Sequence, residues 1–342
     1  MFNFIAEKLT QKKKEILDKV NFDLKSFDAK KLWIEKEIKE GEKVPIAACD
    51  GSYNFKEFRG FTIYAVTSEA LVFDEKLKSI KACDIDILYP YKFTKERLRF
   101  YMHIFETKAL LKALKHADIA LLDGSIIGDI IRPLPFRLNP KSEVKNEIKK
   151  EFLPKLEISN GIEISSRKFF KEIEERFEEK AEAQSYLEYL EHLLCMKELL
   201  KNNDKIVAIA KTSQATDYFK ENIPDIAIFE KSTHKQGYSS PIYGSIDARL
   251  KRSFPILDDF FRNIQFTIFY ARLEDRRNVL KFEIPKRISN VEKLLEKIKR
   301  ICVEGYPYLL KKAHNDVLIS NKEMEKIVKA FGFFERTGRE VL

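Results

Sequence analysis

The sequence predicts an α/β protein: a mixed sheet with flanking helices, N-terminal helices and a long helical insertion. Three observations carry this. Short apolar runs bounded by turn residues alternate with stretches whose apolar residues recur every three to four positions. Two of the runs, IAACDGS at 46–52 and IALLDGS at 119–125, end on the same three residues, Asp-Gly-Ser. Between them the pattern reads strand, strand, helix, an order that returns the chain to its starting sheet by a right-handed crossover.

The elements follow in order. MFNFIAEKLTQKKKEIL opens residues 1–40, an N-terminal helical segment ahead of a main domain over 41–342. VPIAACD (44–50), GFTIYAVT (60–67) and EALVFD (69–74) read as an antiparallel meander. From Thr94 to about Ala117, Leu98, Tyr101, Phe105 and Leu111 mark a helix, and IALLD (119–123) is the strand after it, parallel to the first. Residues 140–165 are weakly periodic and are expected as a variable loop; 166–202 reads as one long helix, charged first and apolar later. DKIVAIAK (204–211) and DIAIFE (225–230) read as short strands, and QFTIFYARL with NVLKFEIP as a hairpin around EDRR. The remainder is helical, with a Ser320/Glu323 capping box before the last helix.

Composition narrows the function. Lys plus Arg number 63 against 54 for Asp plus Glu, a formal charge of +9 that biases the surface toward phosphate-bearing partners, although the basic residues are scattered. The four cysteines form no CxxC pair, which argues against a zinc knuckle or disulfide framework and fits a reducing cytoplasm. No apolar run approaches the ~18 residues of a membrane span, so neither export nor insertion is expected. A GxxxxGK[ST] loop is absent, so the chain is not a P-loop motor. Abundant Lys, Glu and Ile match a thermophile composition.

The chemistry centres on three carboxylates. Asp-Gly suits any turn, and either DGS alone reads as one. On neighbouring strands about 4.8 Å apart, however, Asp50 and Asp123 would face one another and repel unless a cation joined them. Glu106 lies at the margin of the apolar stripe of the intervening helix, where a charge needs a partner or a metal; a surface glutamate is the alternative. Together they form an all-oxygen set suited to Mg2+ or Mn2+ rather than zinc.

The order DGS, meander, helix with Glu, second DGS resembles the ribonuclease H-like nuclease core, and specifically the NurA family of archaeal and bacterial DNA-end-processing nucleases. IVAIAKTS (206–213) is similar to that family's strand-borne lysine, and GYPYLLKKAHNDV (305–317) to its Tyr-Pro followed by a histidine. The resemblance covers most of the chain but not 140–165 or the tail after 320. It implies that Asp50, Glu106, Asp123 and His314 hold two ions, Mn2+ or Mg2+, with Lys211 and Tyr306 near the scissile phosphate. Asp316 would share a side with His314 only on an extended backbone. It also implies 5′ to 3′ exonuclease activity on single- and double-stranded DNA, single-strand endonuclease activity, a role in DNA-end resection for recombinational repair, a ring-like homodimer, and the HerA hexameric ATPase and translocase as partner.

RLRFYMH (97–103), HKQGYSSPIYGS (234–245) and RLKRSF (249–254) are expected to line a DNA channel, the second as a loop. Two other readings stay open: a ribonuclease H-like RNA or junction nuclease, and a nonenzymatic nucleic-acid-binding scaffold whose aspartates are structural turns.

Overall fold

The computed structural model describes residues 2–20, 27–90, 92–158, 161–250 and 253–333. Helices α1 (Phe2–Val20) and α2 (Ala29–Leu32) precede strand β1 (Trp33–Glu35). The meander is β2 (Ile46–Glu57), β3 (Thr62–Phe73) and β4 (Leu77–Leu88), and α3 (Thr94–Ala113) crosses to β5 (Ile119–Asp123). Then come α4 (Ile126–Ile131), α5 (Ser142–Glu151), α6 (Phe170–Arg176), α7 (Lys180–Leu200), β6 (Ile206–Ala210) and α8 (Asp225–Ser232). Next are β7 (Gly237–Ser239), β8 (Ile242–Ser245), α9 (Asp258–Arg262) and the hairpin β9 (Gln265–Arg272) and β10 (Leu280–Ile284). The chain continues through α10 (Val291–Lys299), β11 (Cys302–Val303), β12 (Tyr306–Pro307), α11 (Tyr308–Val317) and α12 (Asn321–Ala330).

Ten strands make one mixed sheet in the order β1-β7-β9-β10-β6-β5-β2-β3-β4, with β8 also paired to β9. β2, β3 and β4 are antiparallel, while β5 is parallel to β2 and β6 parallel to β5. This is the ribonuclease H-like order and polarity: a meander, a crossover helix, and a return beside the first strand.

Alternation along β2 decides which residues meet which layer. Ala47 and Cys49 join a core with Leu98, Ile104 and Phe105 of α3 and Leu187 and Leu190 of α7. Ile46 and Ala48 join a second core on the other face, with Leu295 of α10 and Leu310 and Ala313 of α11. β5 repeats the pattern, with Ala120 in the first core and Ile119 and Leu121 in the second.

Several elements differ from the sequence reading. β3 is one twelve-residue strand rather than two, because Ser68 and Glu69 are buried within it. Ser68 meets the Cys49 thiol at 3.6 Å, and Glu69 accepts from Ser79 and pairs with Lys81. β4 escaped notice because it is the edge strand, exposed along most of its length. DIAIFE is helix α8, with Asp225 buried and accepting the backbone N–H groups of Tyr218 and Phe219. Residues 140–165 contain α5, anchored by buried Ile148. The single long helix is broken between α6 and α7, where Phe177 turns into the core beside Phe152. HKQGYSSPIYGS forms β7 and β8 rather than a loop.

The seam between α3 and α7 is charged although buried. Arg97 donates to both carboxylate oxygens of Glu188 at 2.9 and 2.8 Å, and Lys108 pairs with Glu191 at 2.8 Å. Arg97, Leu98, Phe100 and Tyr101 of RLRFYMH are therefore core rather than channel lining. Residues 251–252 of RLKRSF lie outside the described residues; Arg249 pairs with Asp217 at 2.7 Å and Phe254 is buried. Glu188→Ala would strand the Arg97 guanidinium in a dry seam, and is expected to cost about 3–5 kcal/mol in urea denaturation. Arg97→Met with Glu188→Leu should recover most of it.

Candidate metal centre

β2 and β5 pair in parallel from Ile46 opposite Ile119 to Cys49 opposite Leu122, and the pairing stops there. The next residues are Asp50 and Asp123. Asp50 is not at a strand end, since β2 runs on against β3 to Glu57; it stands where its parallel neighbour stops. By alternation both aspartates point to the α11 face.

Helix α11 lies over that face and delivers His314, whose Nδ1 is 2.7 Å from Asp50 Oδ2. One donor atom each from Asp50, Asp123 and His314 lie within 4.8 Å of one another. Lys211, just past β6, donates to Asp123 Oδ2 at 2.9 Å, and its ammonium sits 4.6 Å from the centre of the Tyr306 ring. Asp316 is turned away: α11 is helical there, and its carboxylate pairs with Lys312 at 2.6 Å.

Glu106 approaches from the opposite face. A Cβ at Gly51 would fall 2.8 Å from Glu106 Oε1 and 2.8 Å from Met102 Cγ, so the glycine is the opening through which this carboxylate nears Asp50. His103, three residues earlier on α3, contacts Glu106 at 2.9 Å through Nδ1 and Asp129 at 3.7 Å through Nε2. A cavity of about 30 Å³ among His103, Glu106, Asp123, Ser125 and Asp129 has room for a water-sized species.

The second DGS is a different device. Gly124 has φ +108°, a left-handed backbone that favours glycine. Ser125 then caps α4 by accepting the Gly128 N–H at 3.0 Å. Its hydroxyl lies 2.8 and 2.9 Å from the two carboxylate oxygens of buried Glu283, which also accepts the Ile127 N–H and pairs with Lys281 at 2.7 Å. Ser52 of the first DGS instead accepts the Ile319 N–H at 3.3 Å.

The electrostatics suit a cation. Burial raises the Asp50 carboxyl above its ordinary value, Asp123 adds to this, and the hydrogen bonds from His314 and Gly51 only partly oppose it. Burial likewise raises Glu106 against the stabilising contact from His103. Burial alone would lower His103, but Asp129 and Glu106 outweigh it and bring it to about 9. Crowded, desolvated carboxylates with a histidine nitrogen beside them form an O,O,N donor set that fits Mn2+ or Mg2+. Burial and the two aspartates raise the Tyr306 phenol, so it stays protonated at neutral pH.

Residues 44–319 match the NurA domain model. The chain belongs to the NurA family. It is 30% identical to the probable DNA double-strand break repair nuclease NurA of Methanocaldococcus jannaschii, over 95% of this chain and 88% of that one. It is also 30% identical to the DNA double-strand break repair nuclease NurA of Sulfurisphaera tokodaii, over 96% and 94%. The crystal structure of the NurA nuclease from Sulfolobus solfataricus superposes with a TM-score of 0.74 at 25% identity, covering 97% of each chain. A NurA crystal structure bound to dAMP and manganese shares the fold, with a TM-score of 0.70 at 17% identity, over 98% of this chain and 99% of that one.

Sequence reasoning missed three parts of this candidate site: His103, Asp129 and the Ser125–Glu283 link. His103 had a signal, since residues i and i+3 on a helix are neighbours and Glu106 was already singled out. Glu283 had none, because only the fold brings β10 to the turn after β5.

A carboxyl with a raised folded pKa costs the metal-free fold stability while ionised, and the cost is relieved as pH falls through that raised value. Asp50→Asn should therefore raise the metal-free Tm at pH 7 by roughly 1–2 °C and abolish most of the Tm increase on adding Mn2+. In the unmodified protein that Mn2+-induced increase should fade on acidification, starting above the ordinary Asp and Glu values of 3.8 and 4.5. Scanning fluorimetry across pH checks both.

Proposed function

We propose that this protein is a metal-dependent DNA nuclease that hydrolyses phosphodiester bonds at broken DNA ends. The observation that carries the reading is the convergence of Asp50, Asp123 and His314 within 4.8 Å, with Lys211 at 2.9 Å from Asp123. Two divalent ions held by Asp50, Glu106, Asp123 and His314 would supply an activated water and stabilise the departing 3′ oxygen.

The side chains do the rest. Asp50 accepts from His314 Nδ1, which leaves Nε2 as the nitrogen with a lone pair for a proton or a metal. Lys211 supplies a point charge for a non-bridging phosphate oxygen, steadied on the Tyr306 ring. Tyr306, protonated throughout, serves as a donor and not as a base. His103 and Gly51 set where the Glu106 carboxylate lies.

Family membership supports the finer points: 5′ to 3′ exonuclease action on single- and double-stranded DNA, single-strand endonuclease action, a homodimer, and the HerA translocase as the source of ATP-driven movement. No described helix is long and apolar enough to cross a membrane.

Labelled single-stranded DNA with Mn2+ tests the reading. Asp50→Asn or Asp123→Asn should lower kcat by about 10³-fold or more and Lys211→Ala by about 10²-fold. Full activity in Asp50→Asn would leave the aspartates as structural turns, and cleavage of RNA but not DNA would select the ribonuclease alternative. Light scattering should show a species of about 80 kDa, twice the chain mass of 40.2 kDa; a monomer at micromolar concentration would rule out the homodimer.

A further inference from the structure

The far edge of the sheet carries a groove that the reaction chemistry leaves unused. It has a volume of about 840 Å³, and its walls include Lys30, Lys31, Trp33, Lys231, His234 and Lys235. Among the described lining residues, four lysines stand beside two acids, Asp28 and Glu35. Both acids are already engaged, Asp28 with Lys31 at 3.0 Å and Glu35 with Lys235 at 2.9 Å. All four of these side chains are more than half exposed, so each pair is weak and a polyanion can displace it.

Among the lysines sits a fixed ring. Trp33 lies 5.7 Å from the Phe229 ring and is packed beneath Gly237, where a Cβ would come within 2.8 Å of the indole Nε1. Lysines around a half-buried aromatic ring are the combination that holds a nucleic-acid strand, by charge along its backbone and by stacking on a base.

The sheet topology puts this groove at the catalytic end. β9 and β6 are both antiparallel to β10, so β9 runs in the same direction as β6 and β5. Its last residue, Arg272, pairs with Gly237, and Gly237 pairs with Glu35. Glu35 and the turn before β7 therefore lie toward the same strand ends as Asp123, while Trp33, packed on Phe229 and through it on Tyr270, lies on the sheet face opposite the aspartates, so a nucleic-acid strand joining the two passes around the strand ends. Five strand-to-strand steps separate β5 from β1, or about 24 Å at ~4.8 Å each.

We propose that this groove is a second contact for the substrate strand, binding its phosphates through Lys30, Lys31, Lys231 and Lys235 and stacking a base on Trp33. The proposal rests on the nuclease reading for its substrate. At the ~3.4 Å rise of a stacked strand, 24 Å is about seven nucleotides, so the groove acts on long strands and is out of reach of short ones cut at the carboxylates.

Length dependence is the test, and Trp33 reports directly because it is the only tryptophan in the chain. In EDTA, a 20-nucleotide single strand should quench tryptophan fluorescence. Lys30→Ala/Lys31→Ala/Lys235→Ala should weaken its binding roughly tenfold near 0.1 M salt and reduce the slope of log affinity against log salt by about 2. With Mn2+, KM for the 20-mer should rise in the variant while cleavage of a tetranucleotide stays unchanged within about twofold. An unchanged salt slope for the 20-mer, as an acidic protein ligand for the groove would give, overturns the proposal, as does equal loss on both lengths. Absence of cleavage by the unmodified protein, with groove binding intact, would sink the nuclease reading and not this one.

Discussion

One register governs the site. Because Cys49 stands opposite Leu122 on a parallel strand, the next residue of each strand is an aspartate, and because side chains alternate, both aspartates emerge on the face covered by α11. A slip of one residue would send one carboxylate to the α3 face and leave its partner alone. The pairing brings like charges together, which is unfavourable in itself, and the apolar alternation through Ile46, Ala48, Ile119 and Leu121 is what holds it.

The repeated Asp-Gly-Ser is two solutions rather than one used twice. After Asp50 the glycine remains within an extended strand and is needed for what it lacks, a Cβ that would collide with Glu106. After Asp123 the glycine leaves the strand through positive φ, and nothing crowds the place a Cβ would take. The serines divide in the same way, one receiving the start of the α12 segment and the other tying α4 to Glu283. The first tripeptide lets a third carboxylate in from the far face; the second anchors the loop that begins at Asp123.

Much of this was legible in the sequence because it rests on local patterns. The β2 run, the crossover helix, the β5 and β6 runs, the β9–β10 hairpin and the Ser320/Glu323 capping box follow from apolar period and turn chemistry. The carboxylates stood out because an aspartate at the end of a buried run is conspicuous. The misreadings share a different cause. Ser68 read as a turn because its burial between β2 and β4 is tertiary; Asp225 read as a strand start because the backbone donors of Tyr218 and Phe219 that hold it come from a loop. The charged run before α7 has no stop residue, and only the packing of Phe177 breaks it. Pattern shows which residues want burial and not which neighbours will pay for a buried charge.

The contacts that the two aspartates make with neighbouring side chains bear on how the site is used. Lys211 occupies one oxygen of Asp123 and His314 one oxygen of Asp50, so each carboxylate carries its own counter-group. These partners relieve the repulsion that the register imposes, and both face solvent, Lys211 and His314 being 43% and 50% exposed. A cation held by Asp50 and Asp123 would meet both of these partners. A Lys211 ammonium freed from Asp123 would remain at the site, because the Tyr306 ring attracts it. The lysine that screens Asp123 would then be available to an anion beside the same aspartate, which would link phosphate binding to what the carboxylates hold.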